Sequence, residues 1–242
     1  MYSQMAYQIR QRLTPHRLED TRAESTKWCE TNKVATAEAV RRITGKEIGE
    51  PLYQIQKEVF KHAEEVVANL PVKMGGGADL DLLYYLTSNS ESRIVVETGV
   101  AHGWSSLALL LALRGREGSF LYSTDMPYPK MGNEQFVGCV VPESLRSQWR
   151  IVRLPDRQAL PEILETAAEI DLCHYDSDKS YRGRMWAYPR LWKSLRVGGI
   201  FVSDDINDNL AFKHFAERVG SEALIVFHEP EQKYIGILKK TT

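Results

Sequence analysis

The chain has 242 residues, 43% of them apolar and 26% charged, enough to bury one large core and ordinary for a globular protein. Its 31 Lys and Arg stand against 32 Asp and Glu, so no overall field recruits nucleic acid or an anionic membrane surface. Cys29, Cys139 and Cys173 are far apart, with no CxxC pair, and signal neither a zinc site nor a disulfide framework. Reduced thiols, a polar Met1–Leu18 stretch and no run of about 20 apolar residues predict a cytoplasmic protein without a membrane span.

In chain order, the pattern changes near Leu70–Gly77. Residues 1–70 read as a helical extension and residues 71–242 as an α/β domain. In the extension Leu52, Ile55, Val59, Ala63, Val66 and Val67 recur three and four apart. That spacing predicts one amphipathic helix, opened by Pro51 and closed by Pro71. Its apolar face leaves a homodimer open. After Lys73-Met74-Gly75-Gly76-Gly77 a short helix is expected over Asp79–Leu86. Apolar runs then follow at Arg93–Glu97, Phe120–Thr124, Arg150–Arg153, Ile170–Tyr175, Gly199–Ser203, Leu224–Phe227 and Tyr234–Leu238. Helical stretches at Trp104–Leu113, Pro142–Gln148, Gln158–Glu169, Tyr181–Leu195 and Asn209–Val219 separate them. Alternating strands and helices predict βαβ units with a parallel sheet covered on both faces. The last two strands are too close for a crossover helix and predict an antiparallel hairpin. The expected fold is a Rossmann-like, doubly wound sheet of seven strands, five parallel plus the hairpin.

The first strand runs into Glu97-Thr98-Gly99-Val100-Ala101-His102-Gly103-Trp104-Ser105. Glycines at such a junction let a ligand approach the backbone, and the following helix offers free N–H groups. A dinucleotide fingerprint needs a glycine where Ala101 stands, which weakens an NAD-dependent oxidoreductase reading. A turn serving only packing is the bland alternative. Asp125 ends the second strand, where a carboxylate can accept both hydroxyls of a ribose or act as a turn residue. The fourth strand ends in Asp176-Ser177-Asp178-Lys179-Ser180-Tyr181 and the fifth in Asp204-Asp205. Neighbouring strands about 4.8 Å apart would bring Asp176, Asp204 and Asp205 together. Three unpaired carboxylates repel, and a hard divalent cation, Mg²⁺ first, would relieve them. The alternative is that these acids cap helices and face water. Lys179 is either a proton acceptor or a surface charge paired with Asp178. Trp104, Tyr128, Tyr181 and Trp186 are candidates for an acceptor pocket or for packing. His174, inside a strand, reads as a core histidine, and His102 as a loop donor. The stretch Met126–Val141 replaces an ordinary crossover and reads as an active-site flap.

The segments E-x-G-x-x-x-G, Y-D-S-D-K-S-Y and G-G-I-F-V-S-D-D resemble class I S-adenosylmethionine-dependent methyltransferases. They are similar to the metal-dependent catechol and caffeoyl-CoA type, and to the bacterial macrocin O-methyltransferase and cephalosporin-hydroxylase group. The resemblance spans about Lys73 to Leu238. It implies transfer of a methyl group from S-adenosylmethionine to a hydroxyl of a small molecule. It implies metal ligation by Asp176, Asp204 and Asp205, with Asp205 standing where the catechol type has Asn, and a general-base role for Lys179. It implies cofactor contacts at Met74, Gly75, Glu97, Gly99, Gly103, Trp104 and Ser105, at Asp125 for the ribose, and at Asp156 and Arg157 for the adenine, with Asp176 also facing the cofactor. A metal-independent methyltransferase of the same fold and a non-catalytic nucleotide-binding protein remain the competing readings.

Overall fold

The structure is a computed structural model and describes residues 15–126 and 132–242, with the side chains of residues 15–20 left aside. Tyr128 and the segment 127–131 of the expected flap lie outside the described residues. The helices are α1 (Pro15–Asn32), α2 (Thr36–Thr44), α3 (Leu52–Ile55), α4 (Lys57–Ala68), α5 (Leu80–Asn89), α6 (Trp104–Leu113), α7 (Glu143–Arg146), α8 (Asp156–Ala167), α9 (Tyr181–Ser194) and α10 (Ala211–Val219). The strands are β1 (Lys33–Val34), β2 (Ile94–Thr98), β3 (Phe120–Thr124), β4 (Trp149–Val152), β5 (Ile170–Tyr175), β6 (Leu195–Ser203), β7 (Leu224–His228) and β8 (Lys233–Lys239). They form one sheet in the order β1-β7-β8-β6-β5-β2-β3-β4.

The five expected parallel strands and the closing hairpin are all present, with β8 antiparallel to both β6 and β7. An eighth strand joins them. The two residues of β1 pair parallel with Ile225 and Val226 at the sheet edge.

Side chains alternate across the pleat and divide the core in two. Val95, Leu172 and Ile200 face α2, α4, α5 and α6, whereas Val96, Cys173 and Phe201 face α8, α9 and α10. This is the two-faced burial that a parallel sheet requires. Helix α6 is buried from Ser105 through Leu113, which matches its apolar character all round. The predicted single helix over residues 52–67 is broken at Gln56, whose φ of −124° leaves helical space. Tertiary contacts explain the break. Asp81 Oδ1 accepts the Leu52 N–H at 2.6 Å and fixes α3 on α5, while Phe60 of α4 stacks on Trp104. Among the described residues no helix is long and apolar enough to cross a membrane, and the three cysteines are free.

Candidate active site

The β2–α6 turn sits at the carboxyl edge of the sheet. Gly99 (φ +83°) and Gly103 (φ +96°) both take left-handed backbone conformations, which glycine adopts without a steric penalty. A Cβ on Gly99 would lie 2.5 Å from the Asp176 carbonyl oxygen, and one on Gly103 would lie 2.9 Å from Gly138 Cα. The turn and the end of β5 are therefore in backbone contact. Glu97 is fully buried and accepts hydrogen bonds from Ser105 Oγ (2.6 Å), Ser106 Oγ (2.5 Å) and Ser123 Oγ (2.8 Å). It braces the first turn of α6 from behind. The Ser105 hydroxyl is thereby committed to Glu97. Trp104 stacks on Phe60 with ring centroids 6.2 Å apart and 12° between planes, so it packs helices together.

Asp125 follows β3 and is buried. Its Oδ2 accepts the N–H groups of Val100 (2.9 Å) and Ala101 (3.0 Å). Among the described residues its buried Oδ1 has no hydrogen-bond partner, with Arg153 Nη2 at 3.7 Å. Burial raises its carboxyl above the usual range, against the lowering effect of the two N–H groups and Arg153. A spare buried lone pair beside a glycine turn fits a ribose hydroxyl. Asp156 opens α8 and accepts from Thr124 Oγ1 (2.9 Å) and from Ser177 Oγ. Arg157 instead points to Trp186, 4.9 Å from the ring centroid, and Arg190 reaches the same ring at 4.3 Å. Those two expected site residues form a surface cation–π cluster.

The glycine loop before α5 lies on the turn. The Met74 N–H donates to His102 Nε2 at 3.1 Å, and Asn133 Nδ2 donates to Met74 Sδ at 3.2 Å. The Met74 side chain packs with Val100 and Val137. A Cβ on Gly75 (φ +36°) would lie 3.2 Å from Ala101 Cβ. His102 was expected to donate. It accepts instead, and burial lowers its pKa, which keeps the ring neutral for that task.

The acids after β5 and β6 come together as adjacency requires, with Tyr175 opposite Ser203. Their pairing differs from the expectation of three unpaired carboxylates. Lys179 Nζ sits 3.1 Å from Asp176 Oδ1 and also holds Asp205 Oδ2. Asp204 is buried and turned inward, with Oδ2 2.9 Å from Lys233 Nζ and Oδ1 3.5 Å from His174 Nε2. His174 Nδ1 in turn lies 3.7 Å from Glu97 Oε1. His174 is thus a fully buried core histidine set between two carboxylates. Burial favours its neutral form, but Asp204 and Glu97 outweigh this and raise it to about 10. Burial likewise pushes Asp204 up, but His174 and Lys233 hold it well below the usual carboxylate range. Asp176 moves the other way. Burial first, and the Asp204 charge second, raise it to about 6. Burial would lower Lys179, yet Asp176 and Asp205 keep it protonated far above neutrality.

The corner itself is held from beneath. Asp205 takes a left-handed conformation (φ +51°). The fully buried Arg184 donates Nη2 to the carbonyls of Asp204 (3.0 Å) and Asp205 (2.8 Å). Ser25 of α1 donates to the carbonyls of Ile206 (3.0 Å) and Asn209 (3.1 Å), and Asn209 Nδ2 ties back to the Lys179 carbonyl at 2.8 Å. A divalent cation does not fit this donor set. Among the described residues no group of three His, Cys, Asp or Glu is disposed to hold one. The positions a metal would neutralise are met by ammonium and imidazolium groups. Sequence reasoning missed Lys233, Arg184, and Ser106 and Ser123 on Glu97. No local spacing marks them, because their partners come from other strands.

A seven-stranded core in this order, with a glycine turn after β2 and acids after β3, β5 and β6, is the Rossmann-like fold of class I methyltransferases. Residues 96–206 match the Methyltransf_24 family, a methyltransferase domain. Direct sequence comparison with curated proteins gives no match. Solved structures share the fold at low identity. The O-methyltransferase from Bacillus cereus in complex with SAH is 16% identical, with a TM-score of 0.56 over 88% of this chain and 100% of that one. The O-methyltransferase TomG from Streptomyces achromogenes, involved in tomaymycin synthesis and bound to SAM, is 15% identical, with a TM-score of 0.56 over 88% of this chain and 98% of that one. Cofactor-bound Rv0187 from MTB is 15% identical, with a TM-score of 0.60 over 76% of this chain and 91% of that one.

Proposed function

We propose that the protein is a cytoplasmic, S-adenosylmethionine-dependent O-methyltransferase acting on a hydroxyl of a small molecule, and that it works without a resident divalent cation. The observation that carries the reading is the contact between Gly99 and the Asp176 backbone. It puts the cofactor-type turn, the Asp125 carboxylate and the Lys179–Asp176 pair at one sheet edge. S-adenosylmethionine, when bound, supplies an electrophilic methyl group on sulfur. Asp125 has the free lone pair for a ribose, and Met74 and Gly75 cover the turn. Glu97 and Ser105 contribute by fixing the first turn of α6 rather than by touching the cofactor.

The acceptor hydroxyl must lose a proton as its oxygen forms the new bond to carbon. Asp176 is the base in this proposal. Its Oδ1 is buried beside the Lys179 ammonium at 3.1 Å, and a carboxyl at about 6 is ionised at neutral pH yet basic enough to accept a proton. Lys179 is not the base, because its two carboxylates hold it charged. Its ammonium stabilises the negative charge that develops on the acceptor oxygen, the task a metal performs in other enzymes. The overall charge of −1 supports a small acceptor over a nucleic acid. A homodimer through the N-terminal helices remains part of the proposal.

Calorimetric titration with S-adenosylhomocysteine in EDTA and again in Mg²⁺, followed by methyl transfer from S-adenosylmethionine to phenolic, sugar and polyketide hydroxyls, tests the proposal. Equal binding in both buffers and a methyl ether product in EDTA are expected. Absence of binding, or NAD binding in its place, overturns the cofactor reading. Binding or turnover that appears only with Mg²⁺ overturns the metal-independent one.

A further inference from the structure

A line of alternating charges runs through the molecule between the two structures that flank the turn. Glu97 holds the first turn of α6 through Ser105 and Ser106. His174 stands 3.7 Å from Glu97 and 3.5 Å from Asp204. Lys233, the first residue of β8 and buried, stands 2.9 Å from Asp204 and 2.7 Å from Glu231. Glu231 then lies against the glycine loop. A Cβ on Gly76 would come within 1.7 Å of Glu231 Oε1, so only a glycine lets the carboxylate close on the backbone there. The neighbouring Met74 is pinned to His102. The loop is therefore fastened at two points, one on the turn and one on the β7–β8 connection.

We infer that Glu231 and Lys233 are positioning residues that latch the Met74–Gly77 loop over the cofactor turn and tie its closure to Asp204 beside the methyl-transfer site. The inference rests on the S-adenosylmethionine reading above. Lys233 is the joint of the device. Its ammonium serves the loop-facing carboxylate and the buried acid at once, so the charge that compensates Asp204 in the interior also holds Glu231 beside Gly76. An ordinary buried ion pair would secure the hairpin alone. This one also reaches Gly76, whose contact with Glu231 no packing requirement of the hairpin explains.

Glu231 and Gly76 are both exposed, so Glu231→Gln and Gly76→Ala can be tested in folded protein. The first weakens the latch by charge, the second by displacing the carboxylate. Hydrogen exchange of residues 72–78 is followed with and without S-adenosylhomocysteine, beside the calorimetric affinity and the melting temperature. In the wild type the ligand is expected to protect the loop. Each variant should lose most of that protection and about tenfold in affinity, a loss of about 1.4 kcal/mol, with its melting temperature unchanged. The double variant should be no worse than either single one, as for two lesions of one contact. Lys233→Met should lose the same protection and also melt earlier. Protection and affinity that survive in both surface variants, or that fall additively in the double variant, overturn the latch. A wild type that does not bind S-adenosylhomocysteine overturns the cofactor reading instead, so the two failures are distinguishable.

Discussion

Gly99→Ala tests the contact on which the site depends. Two penalties act on that alanine. The backbone at φ +83° is left-handed, which costs a residue with a Cβ about 1 kcal/mol. The added carbon would also meet the Asp176 carbonyl oxygen at 2.5 Å and its carbon at 2.9 Å. Both are backbone atoms of a strand end and cannot rotate away, and overpacking of that kind costs about 1–3 kcal/mol. The sum is about 2–4 kcal/mol, or roughly 4–16 °C in melting temperature for a chain of this size. Gly45→Ala is the control. Its φ of +74° imposes the same strain, but nothing lies within 4 Å of the added carbon, so a fall of only about 2–4 °C is expected. The two variants also differ in function. Relief of the clash moves the turn away from Asp176, and a displacement of about 1 Å at a reacting geometry costs on the order of a hundredfold in rate. Differential scanning fluorimetry and S-adenosylhomocysteine titration measure both effects. If Gly99→Ala melts with Gly45→Ala and binds the ligand like the wild type, the turn and Asp176 are not in contact.

Three further outcomes follow from the same geometry. Asp125→Asn should lower S-adenosylhomocysteine affinity about tenfold by calorimetry, the range for one charge-assisted hydrogen bond, and a wild-type affinity would remove Asp125 from the cofactor site. Asp176→Asn should lower kcat by about 10²–10⁴-fold and Lys179→Met by about 10²-fold, both with little change in the KM for S-adenosylmethionine. Steady-state kinetics with either variant fully active would reject the Asp176 and Lys179 assignment. His174, near 6.5 when unfolded and raised to about 10 when folded, binds its proton more tightly in the native state. Its contribution to stability is therefore complete below pH of about 6.5 and lost as pH rises through about 10. The melting-temperature gap between the wild type and His174→Gln should shrink over that interval, and a gap that widens would contradict the buried imidazolium.

Most of the fold was legible because its strands are buried on both faces. IVVET, FLYST and IDLCHY carry little polarity to confuse the pattern, and helical stretches of ordinary length separate them. The glycine turn was legible for a local reason, since Gly99 and Gly103 need left-handed backbone within one short segment. What could not be read depends on pairing over distance. Two residues of β1 carry no periodicity and are a strand only because β7 lies beside them. Gln56 sits in an unbroken helical pattern, and the break comes from Asp81, 29 positions away from the Leu52 amide it captures. Arg184 has the look of a solvent-facing residue in an arginine-rich helix, yet it is fully buried beneath two carbonyls of the β6 corner. Lys233 reads as part of a polar hairpin turn until Asp204 is placed opposite it.

The acids after β5 and β6 show why a residue set alone does not decide between a metal centre and an ion-pair cluster. Their convergence follows from the topology, and electrostatics then demands compensating charge without specifying its form. Here each carboxylate has a cation within reach: Lys179 for Asp176 and Asp205, and Lys233 with His174 for Asp204. Asp205 makes the difference to Lys179. The Asn that the catechol type carries at this position would leave Lys179 a single carboxylate partner, whereas the second carboxylate adds to the field that keeps the ammonium protonated. The same substitution that strengthens a metal site on paper therefore fixes the lysine as a permanent cation. A permanent cation cannot take a proton, and the proposal therefore gives that step to Asp176, raised to about 6 by its burial and by Asp204.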